Sequence, residues 1–77
     1  MTFSAALELL KSGMAVARSG WNGKGQYLEL QVPDEDSKMT LPYIYIVTVD
    51  GNVVPWLASQ TDLLADDWEL VELEDEE

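Results

Sequence analysis

Trp21 and Trp56 are the two residues of this 77-residue chain best suited by type and surroundings to do chemistry, and that chemistry is stacking on a flat ring. Trp21 lies in the run Arg18-Ser19-Gly20-Trp21-Asn22-Gly23-Lys24-Gly25. An indole face beneath a base is worth ~1–3 kcal/mol. Asn22 can both donate and accept, which suits a base edge or a ribose hydroxyl. The glycines let the backbone approach a ligand closely. Arg18 and Lys24 bring two of the four basic residues to this one segment. The same residues also fit a structural turn built around a core tryptophan.

The second segment is Val53-Val54-Pro55-Trp56-Leu57-Ala58-Ser59-Gln60-Thr61-Asp62. Ser59 reads as a helix cap, with Asp62 three residues on in the pattern of a capping box. The amides of Ser59, Gln60 and Thr61 would then point outward from a helix N-terminus, an end that attracts phosphate through its N–H groups and partial positive charge. The alternative is Trp56 in the core with Asp62 serving only the cap. Trp68 opens a regular alternation and reads as core.

Catalytic chemistry is poorly supplied. The chain has no His and no Cys, so the commonest general base, the thiolate nucleophile and the imidazole and thiolate metal ligands are all missing. No Gly-x-Ser-x-Gly elbow surrounds any serine. Asp66 and Asp67 are adjacent, and sequence neighbours usually point apart, so they read as a helix end and a solvated turn. The expectation is a protein that binds without catalysing, with no metal and no cofactor.

The elements that must position these residues follow from periodicity. Phe3, Ala6, Leu7 and Leu10 form one apolar stripe over 3–12, with Thr2 as cap and Gly13 just past the end. Residues 14–19 read as a short strand and 26–32 as a half-buried one, with Leu28, Leu30 and Val32 on one face. The strongest strand signal is Tyr43-Ile-Tyr-Ile-Val-Thr-Val49, all β-branched or aromatic. Asp50-Gly51 suits a two-residue hairpin turn, and Pro55 should end the returning strand over 52–54. A helix of about one and a half to two turns begins after Ser59, and 68–73 closes the fold as a strand. The predicted class is α+β: a small antiparallel β-sheet with an N-terminal helix and a short second helix, one domain over 1–73 followed by an acidic tail at 74–77.

Net charge is -11, and it is unevenly placed. All four bases and five acids fall in 1–38, whereas 39–77 holds ten acids and no base. Such a surface repels nucleic-acid phosphates and anionic membranes, so neither is an expected partner. No run approaches the ~18 apolar residues of a membrane span. A chain this short buries only roughly 60% of its unfolded surface. With no disulfide or metal available, self-association is the expected support.

Several motifs are shared with a known family. Phe3-Ser-Ala-Ala-Leu, Leu10-Lys-Ser-Gly and Ala15-Val-Ala-Arg-Ser-Gly-Trp-Asn-Gly-Lys-Gly25 resemble the start of the second Thoeris anti-defence family of phages. Val54-Pro-Trp-Leu-Ala-Ser-Gln-Thr-Asp62 and Leu64-Ala-Asp-Asp-Trp68 resemble its C-terminal motif. The resemblance implies a homotetramer in the host bacterial cytoplasm with pockets between subunits. It implies capture, without cleavage, of a cyclic nucleotide immune signal of the glycocyclic ADP-ribose type, with cyclic dinucleotides also taken by some relatives. On that basis Trp21 and Trp56 stack on a base, Asn22 and Asp62 read polar edges or ribose hydroxyls, and Ser59 and Thr61 face phosphate or ribose. Arg18 and Lys24, which bring positive charge to the first segment, complete the expected ligand-binding set. The chain departs from the family in the short stretch Leu30 to Tyr43, where relatives often carry more residues.

A different reading comes from charge alone. The acidic second half suits a DNA mimic or an inhibitor of a basic protein, whose binding would weaken steeply with salt. That reading leaves the Gly-Trp-Asn-Gly segment without a purpose. A plain structural subunit is the third possibility.

Overall fold

A computed structural model describes residues 1–73; the acidic run 74–77, expected to be a tail, lies outside the described residues. The elements are α1 (Phe3–Lys11), β1 (Ala15–Arg18), β2 (Tyr27–Gln31), β3 (Tyr43–Val47), β4 (Val53–Pro55), α2 (Gln60–Leu64) and β5 (Trp68–Val71). The five strands form one antiparallel sheet in the order β4-β3-β2-β1-β5. Three pairings join strands consecutive along the chain, while β5 returns across α2 to pair with β1. This is the predicted α+β fold.

Each helix starts as its sequence dictates. The Thr2 hydroxyl accepts the Ala5 amide at 3.3 Å, and the chain leaves α1 through Gly13 at φ +91°. The capping box at α2 is complete: Ser59 Oγ accepts the Asp62 amide at 3.1 Å, and Asp62 Oδ2 accepts the Ser59 amide at 3.4 Å. α2 is only five residues long and has no buried residue, so the cap is a large share of what holds it. Ser59→Ala is therefore expected to destabilise the protein by about 1 kcal/mol. Urea titration checks this, and an unchanged midpoint would mean that other contacts fix the turn.

The strand registers sort the side chains onto two faces. Val16 lies opposite Leu28 and Leu70, and Leu28 lies opposite Ile46, so these four share the face that carries α1. Arg18 and its partner Trp68 fall on that face as well. The buried core is Ala6, Leu10, Val16, Leu28 and Trp68, edged by Phe3, Leu7, Trp21, Ile44, Ile46 and Trp56. It sits where α1 crosses β1, β2 and β5. The opposite face carries Ala15, Ala17, Tyr27, Glu29, Tyr43, Tyr45 and Val47. Neither helix covers it.

The structure departs from the sequence reading in several places. β3 ends at Val47 rather than at residue 49, and none of its residues is fully buried, because α1 packs on the other end of the sheet. The hairpin loop is one residue longer than expected: the Gly51 amide donates to Thr48 O at 2.9 Å and the Thr48 amide to Asn52 O at 2.8 Å, with Gly51 at φ +86°. A hydrogen-bonded turn followed by a left-handed glycine is a common three-residue solution. Pro55 is included in β4 rather than following it, which an edge strand tolerates because no neighbour needs its missing N–H. Val32, expected on the apolar face of β2, lies past the strand end and is 65% exposed.

Candidate ligand-binding site

The loop between β1 and β2 is held by its own polar groups. The Lys24 ammonium donates to Ser19 O at 3.2 Å, and the Gln26 amide donates to Gly23 O at 3.2 Å. At Gly23 a Cβ would fall 2.6 Å from Gln26 Nε2, so a larger residue there would displace the Gln26 side chain from its bond to Gly23 O. Gly25 sits at φ +90°, a conformation L-residues rarely adopt.

Arg18, at the end of β1, ties this loop to α2 and to Asp67, just ahead of β5. Its Nε donates to Asp67 Oδ1 at 2.7 Å and its Nη1 to Asp62 Oδ1 at 2.8 Å. Asp62 Oδ1 also accepts the Trp21 indole N–H at 3.2 Å. The Arg18 side chain is only 16% exposed, so its positive charge serves two carboxylates rather than standing open to solvent. These bonds hold the guanidinium above its ordinary value, the Asp67 contact contributing most. Burial raises Asp62, but hydrogen bonds from Arg18, Trp21 and Ser59 outweigh it and its pKa ends below the usual carboxylate value. Asp67 is lowered mainly by Arg18. The sequence reading puts Asp67 in a solvated turn; the tertiary structure instead folds it over Arg18.

Depressed carboxylate values stabilise the fold above their unfolded range, and that stability is lost as pH falls through the folded values. Arg18→Met is thus expected to lower the thermal midpoint by several degrees at neutral pH. The gap should narrow below the ordinary carboxylate value of 3.8, because protonated Asp62 and Asp67 no longer need a cation. Melting curves of the two proteins across roughly pH 3 to 7 check the convergence; parallel curves would refute it.

The tryptophans meet through a third. Trp21 and Trp56 both stand edge-on to Trp68, with centroids 5.5 Å and 6.0 Å away. Trp68 is 2% exposed and its indole N–H donates to Asp62 O at 2.9 Å, as expected of a core tryptophan. Trp56 also packs on Phe3 at 5.9 Å. Trp21 and Trp56 each remain partly exposed.

Two hollows flank Arg18. One, of about 210 Å³, is lined by Trp21, Ser19, Lys24 and Gln26 of the loop and by Glu69 of β5. The other, of about 410 Å³, is lined by Thr61, Leu64 and Ala65 around α2 and by Asp66 and Asp67. Arg18 lines both. The structure therefore brings Arg18, Trp21 and Lys24 to one hollow and Thr61 to its neighbour. Asn22 is exposed and lines neither, Ser59 is engaged in its cap, Trp56 turns to the aromatic cluster, and both Asp62 oxygens are taken by protein donors. Sequence reasoning did not single out Ser19, Gln26 or Glu69. Their types are ordinary, and only the fold of the loop against β5 puts them in the hollow. Among the described residues, no group of three or more acidic residues is arranged to hold a metal, and no helix is long and apolar enough to cross a membrane.

The sequence profile of the Thoeris anti-defense 2-like domain matches residues 1–71. The chain belongs to this family. A relative, Thoeris anti-defense 2 of Bacillus phage SP01, is 40% identical over 84 residues, covering 92% of this chain and 94% of that protein. That aligned length exceeds the 77 residues of this chain, so the relative carries residues that this family member lacks. The match includes α1, the Gly-Trp loop, α2 and β5, which are the elements that build the Arg18 hub and its two hollows. Family membership gives the protein its functional class, phage anti-defence.

Proposed function

We infer that this family member acts as a sponge: it binds a cyclic nucleotide immune signal of the glycocyclic ADP-ribose type in the host cytoplasm and holds it intact. The observation that carries the reading is the Trp21 hollow. Trp21, partly exposed and bonded through its indole N–H to Asp62, lines a hollow together with Lys24 and Gln26. A stacking face with nearby donors is what a purine-containing anion requires.

Size supports sharing of the site. Ligand pockets usually measure ~300–1,000 Å³. The hollow at Trp21 offers about 210 Å³, room for a base or a ribose but not for a whole dinucleotide. A second copy of the chain supplies the remaining wall in this reading, in a homo-oligomer taken to be a tetramer. Trp56, Asn22, Ser59 and Thr61, which do not reach the Trp21 hollow of their own protomer, would contribute where subunits meet. The single domain over 1–73 is the unit of assembly.

Capture needs affinity and abundance only, so no reacting group is called for. Protein incubated with a glycocyclic ADP-ribose, washed and heat-denatured should release the nucleotide with its mass unchanged. Release of a hydrolysed product would convert the reading to an enzyme, and recovery of no nucleotide would end it. Cyclic dinucleotides offered in parallel test the breadth of the site.

A further inference from the structure

We propose that Asp67 is the positioning residue that fixes Trp21 for ligand capture, acting through Gly20 and Arg18. The proposal rests on the reading that the Trp21 ring receives the ligand. Three consecutive residues at the loop entrance all converge on Asp67. Arg18 donates through Nε to Oδ1 at 2.7 Å, with Nη2 3.4 Å from Oδ2. The Ser19 amide donates to the Asp67 carbonyl at 3.1 Å. The Gly20 amide donates to Oδ2 at 2.9 Å. The next residue is Trp21, so the backbone that carries the indole leaves directly from this dock.

The far end of the ring is fixed by the same system. Arg18 has a second arm, Nη1, which reaches Asp62, and the oxygen it bonds is the one that accepts the Trp21 indole N–H. Asp67, Arg18, Asp62 and the indole therefore form a closed chain that sets both where the backbone starts and where the ring points. Planar, forked donors of arginine suit this bridging role, since two carboxylates receive bonds of fixed relative direction.

The same approach of the carboxylate shows at the Gly20 α-carbon. A Cβ on residue 20 would lie 2.6 Å from Asp67 Oδ2. Gly20 has no positive φ, so its lack of a side chain is explained by the approach of this carboxylate rather than by backbone conformation. The Ser-Gly-Trp run and Asp67 thus make one device separated by most of the chain.

The test reads the ring directly. In the ligand-free protein, the indole N–H signals of Trp21 and Trp68 are followed by heteronuclear NMR in Asp67→Ala and Gly20→Ala. Both variants should shift or broaden the Trp21 signal while leaving Trp68 near its original position. Titration with a glycocyclic ADP-ribose should show affinity reduced by about 2- to 10-fold, the loss that accompanies freeing one bulky side chain before binding. The double variant should lose less than the product of the single losses, because without the carboxylate a Cβ at residue 20 meets no obstacle. Should Asp67→Ala fail to fold, Gly20→Ala alone carries the measurement. An unmoved Trp21 signal in both variants, or independent losses that multiply, overturns the proposal. If the Trp21 signal moves but even Trp21→Ala captures normally, the ring is positioned as described and the ligand reading is what fails.

Discussion

Trp68→Ala is expected to remove most of the stability of this protein. Its side chain is almost wholly buried and joins Phe3 at 5.2 Å, Trp21 at 5.5 Å and Trp56 at 6.0 Å. Its indole N–H satisfies the Asp62 carbonyl of α2 at 2.9 Å, and its amide donates to Met1 O at 3.1 Å. Truncating a buried tryptophan to alanine costs about 3–5 kcal/mol through lost transfer and the cavity left behind. Whole domains are stable by only about 5–15 kcal/mol, with small ones at the lower end. By circular dichroism the variant should be largely unfolded at physiological temperature, or folded only in the cold. Trp68→Phe keeps much of the packing and loses the hydrogen bond, so it should fold with a reduced midpoint. A urea midpoint for Trp68→Ala equal to the parent's would mean that the aromatic cluster is not the centre of the core.

Trp21→Ala is expected to weaken nucleotide capture by about 5- to 150-fold, the equivalent of one base stack of ~1–3 kcal/mol. Trp21 is among the residues that line the hollow with Lys24 and Gln26, and its indole N–H is bonded to Asp62. It also contributes an edge-to-face contact to Trp68, worth about 0.5–1.5 kcal/mol, so thermal melting must accompany the binding measurement. Trp21→Phe separates the two effects: it keeps a stacking face and loses the N–H, and capture should fall less. Trp56→Ala serves as the companion variant, since in the shared-site reading that ring acts where subunits meet. Calorimetric titration with a glycocyclic ADP-ribose reads all three. Capture unchanged in both alanine variants would remove the indoles from the site.

The elements were legible because their signals are local. An apolar stripe between Thr2 and Gly13 gives α1, and Ser59 with Asp62 gives the start of α2, since each pattern satisfies backbone groups within a few residues. Alternation around Leu28 and across Tyr43 to Val47 gives β2 and β3. The Asp50-Gly51 dipeptide marks the hairpin but not its length, because Thr48 and Asn52 close the loop by a bond that depends on the register of the flanking strands. Burial along β3 was not legible either. Strand propensity reports fit to a pleated surface, whereas burial depends on which end of the sheet the helix covers.

At the site, residue types were visible and their engagements were not. Arg18 has the chemistry of an anion ligand, and Asp62 and Asp67 that of acceptors, yet the structure joins them to one another. Serine, glutamine and glutamate at 19, 26 and 69 gave no signal, because a hollow exists only between surfaces that the chain brings together.

The sequence by itself determined the helices, the strands, the excess of acid and the absence of His and Cys, since composition and short-range periodicity carry these. The tertiary structure alone decided that β5 returns beside β1, that Asp67 meets Gly20 and Arg18, and that three tryptophans share one cluster. The physical reason is distance along the chain: residues 18 and 67 are 49 apart, and a pairing over such a span is selected by closing the whole core, with no local preference to announce it.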